Sequence, residues 1–463
     1  MTVTRQPDRV RGGSRGVAPP GKNSFARLIR ACLLLSADVT AVLVAAVVTG
    51  AGPARWAAYG AATLVAVALA GLYRQRIGQR VSDQAGRLAA AVIVPVLVLL
   101  PWTATGPALR LAGVAAALVL VLRALACAGL RAAWRRGLLL RRTAILGSAQ
   151  PAGQLAGLLR AHPELGLCVS GVLDNQARAG DNGLPLLGRL SETAAVLARF
   201  EVSQVLVCFP AATHAELIDA VRACRAHGAR VSVLPRLREL GAAVPRASLD
   251  EIWGVPLIPL RADPLAPARR LATRLTDLAF GSVLLILTAP LTLLMAAAVR
   301  LDLRLPPLFR QVRVAGRGRL ATITKLRTLR PAGDPDTTWV VSASQCTAVG
   351  RVLRGTHADE LPQLASVVRG DMALVGPRPE RPHFAAQMAG TVDGYADRER
   401  VRAGLTGWAQ VHGLTGDTSI HDRARFDNFY IEYWSIWLDL LILARTVPSA
   451  LSGALHISRG GTP

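Results

Sequence analysis

Lysine and aromatic side chains are scarce in this chain, and both shortages narrow its possible functions. Arginine supplies 52 of the 54 basic residues, since the only lysines are Lys22 and Lys325. Aromatic residues make up only 5% of the 463 positions. The net charge of +24 calls for anionic partners, but no stretch interleaves aromatic and basic residues as a platform for stacked bases. We therefore predict no nucleic-acid partner and expect lipid headgroups and phosphorylated substrates instead.

Paired cysteines are also missing. The six cysteines form no Cys-x-x-Cys pair and show no spacing typical of a metal site. Several of them lie in apolar or intracellular-type segments, so reduced thiols are expected rather than a disulfide framework.

Apolar residues are abundant and concentrated in long runs. Hydrophobic residues make up 51% of the chain and the mean hydropathy is +0.35, values typical of a membrane protein. After a basic tail at 1–30, predicted to be disordered, four runs at 31–52, 56–73, 88–105 and 109–130 are each near the length of a bilayer-crossing helix, the third marginally. We read the first run as a retained span, not a signal peptide. Together they predict a four-span transmembrane bundle at 31–130.

The arginines around these runs set the predicted orientation. They are frequent in the tail, in the loop at 74–87 and after residue 130, and rare in the other two loops. Positive residues accumulate on the cytoplasmic side, so we expect a multi-pass protein of the inner or plasma membrane with its soluble domains in the cytoplasm. Asp38, inside the first run, is open to a functional or a structural interpretation.

Residues 143–245 alternate between short β runs and helical stretches. The predicted strands are 144–146, 169–173, 204–208 and 230–234, and the helices between them are 153–162, 192–200 and 214–227. This alternation predicts a Rossmann-like, doubly wound α/β domain.

The first turn of this domain departs from the nucleotide-binding pattern. Gly147 matches the first glycine of Gly-x-Gly-x-x-Gly, but Ala149 stands where the second glycine lets a pyrophosphate approach. Asp174 follows the second strand, where a ribose-binding acid or an ordinary turn aspartate would lie. We favour a degenerate domain that mediates self-association in a homo-oligomer over a working nucleotide site.

A fifth apolar run, 278–299, combines a central proline with two basic flanks. Pro290 lies where proline kinks or breaks a helix, and arginines precede and follow the run. A re-entrant helix that returns to the cytoplasmic face explains both features, and it would open an α/β catalytic domain at 268–452, followed by a tail at 453–463.

The stretch 356–380 carries the most chemistry. An acid pair, Asp359-Glu360, begins a short apolar-periodic segment, and Arg378 lies between two prolines further on. Two carboxylates facing a rigidly held guanidinium suit a phosphate beside a metal ion. Thr356 and Asp359 also have the spacing of a helix cap, and the pattern alone leaves that alternative open.

Five motifs in this region, in this order, resemble those of the bacterial sugar transferases, the polyprenyl-phosphate phosphoglycosyl transferases. They are Lys325-Leu-Arg-Thr-Leu329, Asp359-Glu-Leu-Pro-Gln363, Gly370-Asp-Met-Ala-Leu-Val-Gly-Pro-Arg-Pro-Glu380, Ala403-Gly-Leu-Thr-Gly-Trp-Ala-Gln-Val-His-Gly413 and Phe426-Asp-Asn-Phe-Tyr-Ile-Glu-Tyr-Trp-Ser435. The resemblance covers about 270–452. Ala403 stands in place of a family proline and His412 in place of an asparagine.

The resemblance implies a two-step transfer. Asp359 takes sugar-1-phosphate from a UDP-sugar donor, releasing UMP, and a polyprenyl phosphate acceptor in the membrane lipids then removes it, which would begin synthesis of an exopolysaccharide, capsule, O-antigen or other glycoconjugate. Glu360 would bind Mg²⁺, and Lys325, Arg327 and Arg378 would offset the phosphate charge. Glu380, Arg402 and Asp427 match positions around the family's substrate site.

Two other functions compete with the transferase interpretation. A membrane-bound NAD-dependent sugar-nucleotide dehydratase needs a Tyr-x-x-x-Lys pair, and neither lysine has a tyrosine four residues before it. A scaffold for polysaccharide assembly with an inactive catalytic domain is compatible with the departures from the family motifs, which include Lys325-Leu-Arg-Thr-Leu329 in place of the family's Lys-Phe-Arg-Ser-Met.

Overall fold

The computed structural model describes residues 22–73, 76–77, 81–102, 104–148, 150–176, 183–236, 248–261, 267–331, 345–416 and 418–458. The chain divides into two compact units, Met1–Leu260 and Arg261–Pro463, which are described separately. The predicted tail at 1–30 lies partly outside the described residues, and its end, from Lys22, is already helical.

The first unit begins with five helices. These are α1 (Lys22–Thr49), α2 (Pro53–Leu69), α3 (Ala85–Ile93), α4 (Val96–Leu99) and α5 (Thr105–Arg135). Within the described residues of this unit, two helical segments are long and apolar enough to cross a membrane, Leu28–Thr49 and Thr105–Arg135. The third predicted run is divided at Pro95, which caps α4 and cannot continue the hydrogen bonding of α3. Two of the four predicted spans are therefore long helices, and the count of four is not confirmed.

A buried ion pair holds the bundle together. Arg123 of α5 donates to both carboxylate oxygens of Asp38 in α1, at 2.7 and 2.6 Å. The hydroxyl of Tyr73 donates to the same carboxylate at 2.7 Å. Because every oxygen of Asp38 has a partner, the structural interpretation of this residue is favoured over the functional one.

The second part of this unit is a seven-stranded sheet. Its strands are β1 (Arg141–Leu146), β2 (Leu167–Leu173), β3 (Leu186–Gly188), β4 (Gln204–Val207), β5 (Arg230–Val233), β6 (Asp250–Ile252) and β7 (Val255–Pro259), in the order β3-β2-β1-β4-β5-β7-β6. The helices between them are α6 (Gln150–Ala161), α7 (Thr193–Arg199) and α8 (His214–Ala226). Strands β1 to β5 are parallel, and all four predicted strands and three predicted helices occur in the sheet domain. The pattern missed β3 and the antiparallel hairpin β6–β7, which lies beyond the predicted end of the domain at residue 245.

The second unit begins with α9 (Pro267–Leu303), followed by the hairpin β8 (Leu308–Gly316) and β9 (Arg319–Leu326). The remaining elements are α10 (Ala348–Gly355), α11 (Leu364–Arg369), β10 (Ala373–Val375), α12 (Pro382–Thr391), β11 (Gly404–Thr406), α13 (Ile420–Tyr433) and α14 (Ile436–Ser458). Helix α14 includes the first part of the predicted tail at 453–463. The last five residues of that tail, 459–463, lie outside the described residues.

Helix α9 is 37 residues long and continues through Pro290 as a single helix. It is long and apolar enough to span a membrane. Near its start, Arg274 donates to the carbonyls of Val367 and Val368 at 2.8 and 2.6 Å. Near its end, Val299 packs in a cluster with Leu326. Both ends of the helix therefore lie against the same domain, while much of the face between them is apolar and exposed.

Candidate active site

The acid pair lies in a 3-10 helix, Ala358–Gln363, that follows α10. His357 precedes it with a left-handed φ of 55°, which turns the chain sharply between the two helices. Thr356 caps the end of α10, and its hydroxyl donates to the carbonyl of Val352 at 2.8 Å. The alternative in which Thr356 and Asp359 form a capping box is therefore wrong.

Glu360 is held by two cations. Lys325, at the end of β9, donates to Oε1 of Glu360 at 2.5 Å. Arg378 donates to the same oxygen at 2.6 Å and to Oε2 at 3.3 Å, so the guanidinium binds the carboxylate with two nitrogens. Burial alone would raise the pKa of Glu360, but Arg378 and Lys325 outweigh it and hold that pKa well below its ordinary value. Glu360 is thus a fixed negative charge at neutral pH.

Asp359 differs from its neighbour. Its side chain is only 8% exposed, and across the described part of the chain its carboxylate accepts no hydrogen bond. Burial raises the pKa of Asp359 above its ordinary value, and the negative charge of Glu360 adds to the rise, although Lys325 and Arg378 oppose it. A buried carboxylate without partners is costly to keep and is rarely retained for structure alone.

The segment that carries Arg378 is fixed by its backbone. Gly376 N–H donates to the carbonyl of Thr406 at 2.8 Å, and Gly404 N–H donates to that of Pro377 at 2.9 Å. A Cβ on Gly376 would lie 2.6 Å from the carbonyl oxygen of Arg402, so only glycine fits there. The two motifs that contain these glycines therefore pack on each other and aim Arg378 at Glu360.

Buried ion pairs support the segment that carries Arg378. Arg398 donates to the Asp427 carboxylate at 2.9 Å and to the backbone carbonyl of Arg378 at 3.0 Å. Glu380 lies 3.5 Å from Arg423 and 4.0 Å from Arg398. The predicted substrate residues Glu380 and Asp427 are thus bound to arginines that hold the Arg378 segment.

Two predicted residues have other neighbours. Arg327 donates to the carbonyl of Pro306 at 3.0 Å and lies over the ring of Phe309. Arg402 pairs with Asp277 of α9 at 2.7 Å and lines a cavity of about 320 Å³ with Arg317 and other residues. Neither forms a direct ion pair with Asp359 or Glu360, so their predicted roles in the reaction stay predictions.

The sequence did not single out two arginines that contact the backbone of the Arg378 segment. Arg313 of β8 donates to the carbonyl of Pro379 at 3.0 Å, and burial together with the charges of Arg378 and Arg381 lowers its pKa to about 10. Its place in an alternating strand pattern was a usable signal. Arg398 lies in the charged run 396–400, which reads as a solvated surface, so the sequence held no clue to its burial.

A magnesium ion was predicted at Glu360. Among the described residues, no group of three His, Cys, Asp or Glu side chains has the geometry of a metal site. Mg²⁺ needs only one or two carboxylates when substrate phosphates and water complete its shell. Oε1 of Glu360 is occupied by two cations, but Oε2 accepts only the long contact from Arg378. The free lone pairs of the Glu360 carboxylate therefore fit Mg²⁺ when substrate phosphate and water are present.

The two departures from the family motifs have distinct surroundings. The backbone N–H of Ala403 donates to the carbonyl of Ala315 at 2.9 Å, a hydrogen bond that proline at this position could not make. His412 is exposed, and its ring packs against Trp408 and Phe426 with centroids 4.2 and 5.0 Å away. The Nδ1 atom of His412 also lies 2.8 Å from the backbone carbonyl of Trp408, so its contacts are with these neighbours and not with the acid pair.

Known proteins match both halves of the chain. Residues 268–453 match the bacterial sugar transferase family, and residues 68–235 match a CoA-binding domain family. The UDP-glucose:undecaprenyl-phosphate glucose-1-phosphate transferase of Klebsiella pneumoniae is 32% identical over 66% of this chain and 67% of its own length.

Two further relatives extend the likeness. The enzyme of the same name from Caulobacter vibrioides is 35% identical over 59% of this chain and 97% of its own length. The UDP-N-acetylgalactosamine-undecaprenyl-phosphate N-acetylgalactosaminephosphotransferase of Aeromonas hydrophila is 35% identical over 38% of this chain and 43% of its length. With these matches and the five motifs assembled around Asp359 and Glu360, the chain belongs to the bacterial sugar transferases, the family of polyprenyl-phosphate sugar phosphotransferases.

Proposed function

We propose that this protein transfers sugar-1-phosphate from a UDP-sugar to polyprenyl phosphate through a covalent intermediate on Asp359. The transfer to a lipid phosphate would be the first membrane step of a polysaccharide or glycoconjugate. The names of the relatives support the donor and acceptor classes, with glucose and N-acetylgalactosamine as the first sugars to test.

One observation carries the proposal: the difference between two adjacent carboxylates. Glu360 is neutralised by Lys325 and Arg378, whereas Asp359, one residue away, accepts no hydrogen bond from the described residues. A carboxylate is a competent nucleophile toward phosphorus when it is not tied up by donors and when nearby cations offset the phosphate charge. Asp359 meets both conditions.

The reaction balances without an external base. An oxygen of the Asp359 carboxylate attacks the phosphorus that carries the sugar, an O–P bond forms, and the P–O bond to UMP breaks with its electron pair leaving on UMP. An oxygen of polyprenyl phosphate then attacks the same phosphorus, and the electron pair of the Asp359–phosphorus bond returns to the carboxylate. The product is a polyprenyl diphosphate sugar.

The cations have defined tasks in this scheme. Lys325 and Arg378 hold Glu360 in place and present positive charge where the donor diphosphate must lie. The charge of Arg378 lowers the pKa of Arg313, so the two guanidinium groups interact, and Arg313 adds to the positive potential at the site. Glu360 would hold Mg²⁺, which when bound would supply further positive charge for the donor phosphates.

Helix α9 suits a lipid acceptor. Its start and its end both pack on the catalytic domain, and its outward face is apolar and exposed over most of the helix. We infer that α9 re-enters from the cytoplasmic face, which would keep both of its ends on that side and place the active site at the depth of the lipid phosphate. A cysteine introduced at Arg304 should then resist an impermeant maleimide applied outside the cell, and efficient labelling would contradict this topology.

The transfer itself is tested with the full-length protein in membranes. Radiolabelled UDP-glucose or UDP-N-acetylgalactosamine is supplied with polyprenyl phosphate, and label is measured in the lipid phase. We expect label in the wild type and in the matched control Asp393→Asn, an exposed carboxylate changed to amide. Asp359→Asn should give none. Absence of lipid product from the wild type with every UDP-sugar tried would favour the scaffold function instead.

A further inference from the structure

The Rossmann-like domain has a crevice where nucleotides bind in proteins of this architecture. In the strand order β3-β2-β1-β4-β5, the strands that follow β1 lie first on one side of it and then, from β4 on, on the other side. Ligands of such sheets lie at this switch point, at the carboxyl ends of β1 and β4. The match to a CoA-binding domain family covers this crevice. Its walls are the turn at Gly147-Ser148, Asp174 after β2, and the turn around Ala211 after β4.

The crevice contains a carboxylate of the chain itself. Oδ2 of Asp174 accepts hydrogen bonds from the backbone N–H and the hydroxyl of Ser148 at 2.7 and 2.8 Å. Oδ1 accepts from the N–H groups of Ala211 at 3.2 Å and Gln176 at 3.3 Å. The side chain is 3% exposed and ties together the turns that follow β1, β2 and β4.

The turn after β1 packs tightly against the turn after β4. A Cβ on Gly147 would overlap the carbonyl of Cys208 and lie 2.9 Å from the nitrogen of Pro210. In nucleotide-binding turns the first glycine allows the tight turn and the second lets a pyrophosphate approach the backbone. Here Gly147 keeps the first of these roles, and Ala149 stands in place of the second glycine.

The N-terminus of α8, the helix that follows β4, also binds a carboxylate of the chain itself. Thr213 caps α8, and its N–H and hydroxyl both donate to Glu216, at 2.8 and 2.9 Å. A phosphate at this end would meet Glu216, and one at the β1 turn would meet Asp174. Both approaches bring like charges together.

We propose that Asp174 occupies the place of a nucleotide phosphate in this crevice, so that the domain binds neither CoA nor a dinucleotide there and is held in its folded form by an internal carboxylate. The crevice donors of Ser148, Gln176 and Ala211 are already used by Asp174. Burial alone would raise the pKa of Asp174, but the hydrogen bonds from Ser148, Gln176 and Ala211 outweigh it and lower that pKa, so the carboxylate is charged at neutral pH.

Ligand binding is the first test, with the full-length protein in nanodiscs. Equilibrium dialysis with radiolabelled CoA, and separately with NAD, should show no saturable binding to the wild type up to millimolar concentration. Saturable micromolar binding of either probe that is lost in Asp174→Ala would overturn the proposal.

Hydrogen–deuterium exchange is the second test and needs no ligand. In Asp174→Asn the amides of the turns after β1 and β4 should exchange on the order of tenfold faster, since charged hydrogen bonds are lost at both. The matched control is Asp219→Asn in the same domain, whose side chain is 77% exposed, and it should leave these turns unchanged. Unchanged exchange in Asp174→Asn would show that the carboxylate does not hold the crevice closed. If that variant does not fold, the dialysis result on the wild type still decides.

Discussion

Two buried aspartates, one in each half of the chain, are used in opposite ways. Asp174 accepts four hydrogen bonds and joins three turns of the sheet domain. Asp359 is buried to a similar degree, yet no described residue donates to it. The surroundings lower the pKa of Asp174 and raise that of Asp359. One carboxylate is satisfied by hydrogen bonds, whereas the other is left without donors, as the proposed nucleophile requires.

The comparison shows that burial by itself does not identify a functional acid. What separates the two residues is the number of donors that reach them and the charges nearby. Glu360 sharpens the contrast, because its two cations leave its neighbour free and hold positive charge beside it.

The largest expected effect comes from exchanging each aspartate for asparagine. Asp359→Asn should lower the rate of lipid-linked sugar formation by about 10⁴-fold or more, as loss of a nucleophile does. It should not lower the melting temperature, because an unpaired buried charge is removed. Asp174→Asn should lower the melting temperature and retain transfer at temperatures where it is folded.

Activity assays and thermal melts on both variants check whether Asp359→Asn loses activity but not stability and whether Asp174→Asn loses stability but not activity. If Asp359→Asn loses stability as much as Asp174→Asn does, the two carboxylates are both structural and the contrast fails.

A smaller effect is expected at the clamp on Glu360. Arg378→Lys keeps the charge but loses the second nitrogen contact to the carboxylate. The rate of UMP release should fall by about 10²- to 10³-fold. Arg369→Lys is the control, since Arg369 pairs with Asp371 at an exposed position. An Arg378→Lys rate within threefold of wild type would mean that the bidentate contact is dispensable.

The pH dependence should differ between the two sites. Attack requires ionised Asp359, and its raised pKa means that activity falls on acidification at a higher pH than an ordinary aspartate would allow. Asp174 has a lowered pKa when folded, so its contribution to stability is complete above the ordinary aspartate pKa and is lost as the pH falls below it.

Single-turnover UMP release without acceptor measures the first limb, because polyprenyl phosphate and its own titration are absent. Exchange protection in the turns after β1 and β4 measures the second. We expect UMP release to decline while protection is still complete. Loss of both over the same pH range would mean that the two carboxylates titrate alike.

The sheet was largely predictable, and its misses have physical reasons. Strands β1 and β4 end in continuous apolar runs with buried side chains, and β2 and β5 are rich in β-branched or apolar residues, signals that sequence patterns detect well. Strand β3 has three residues, and the β7 stretch contains Pro256 and Pro259, so neither resembles a strand.

The site was predictable only in part. Pattern alone left Asp359 as either a cap or a catalytic residue. The family resemblance linked the acid pair to Lys325 and Arg378, which bind Glu360 across 35 and 18 residues of sequence. The roles of Glu380 and Asp427 depend on Arg398, which lies in an ordinary charged run. No local signal encodes that a guanidinium there turns inward.

The central claim is a covalent phosphosugar on Asp359, and mass spectrometry tests it most directly. Full-length protein is incubated with UDP-glucose, and in parallel with UDP-N-acetylgalactosamine, in the absence of polyprenyl phosphate, then quenched and digested. We predict UMP release of no more than one equivalent and a sugar-phosphate adduct on the peptide that contains Asp359, removed when polyprenyl phosphate is added. With a donor that supports lipid transfer, formation of the lipid product without such an adduct, or an adduct on another residue, would contradict the account.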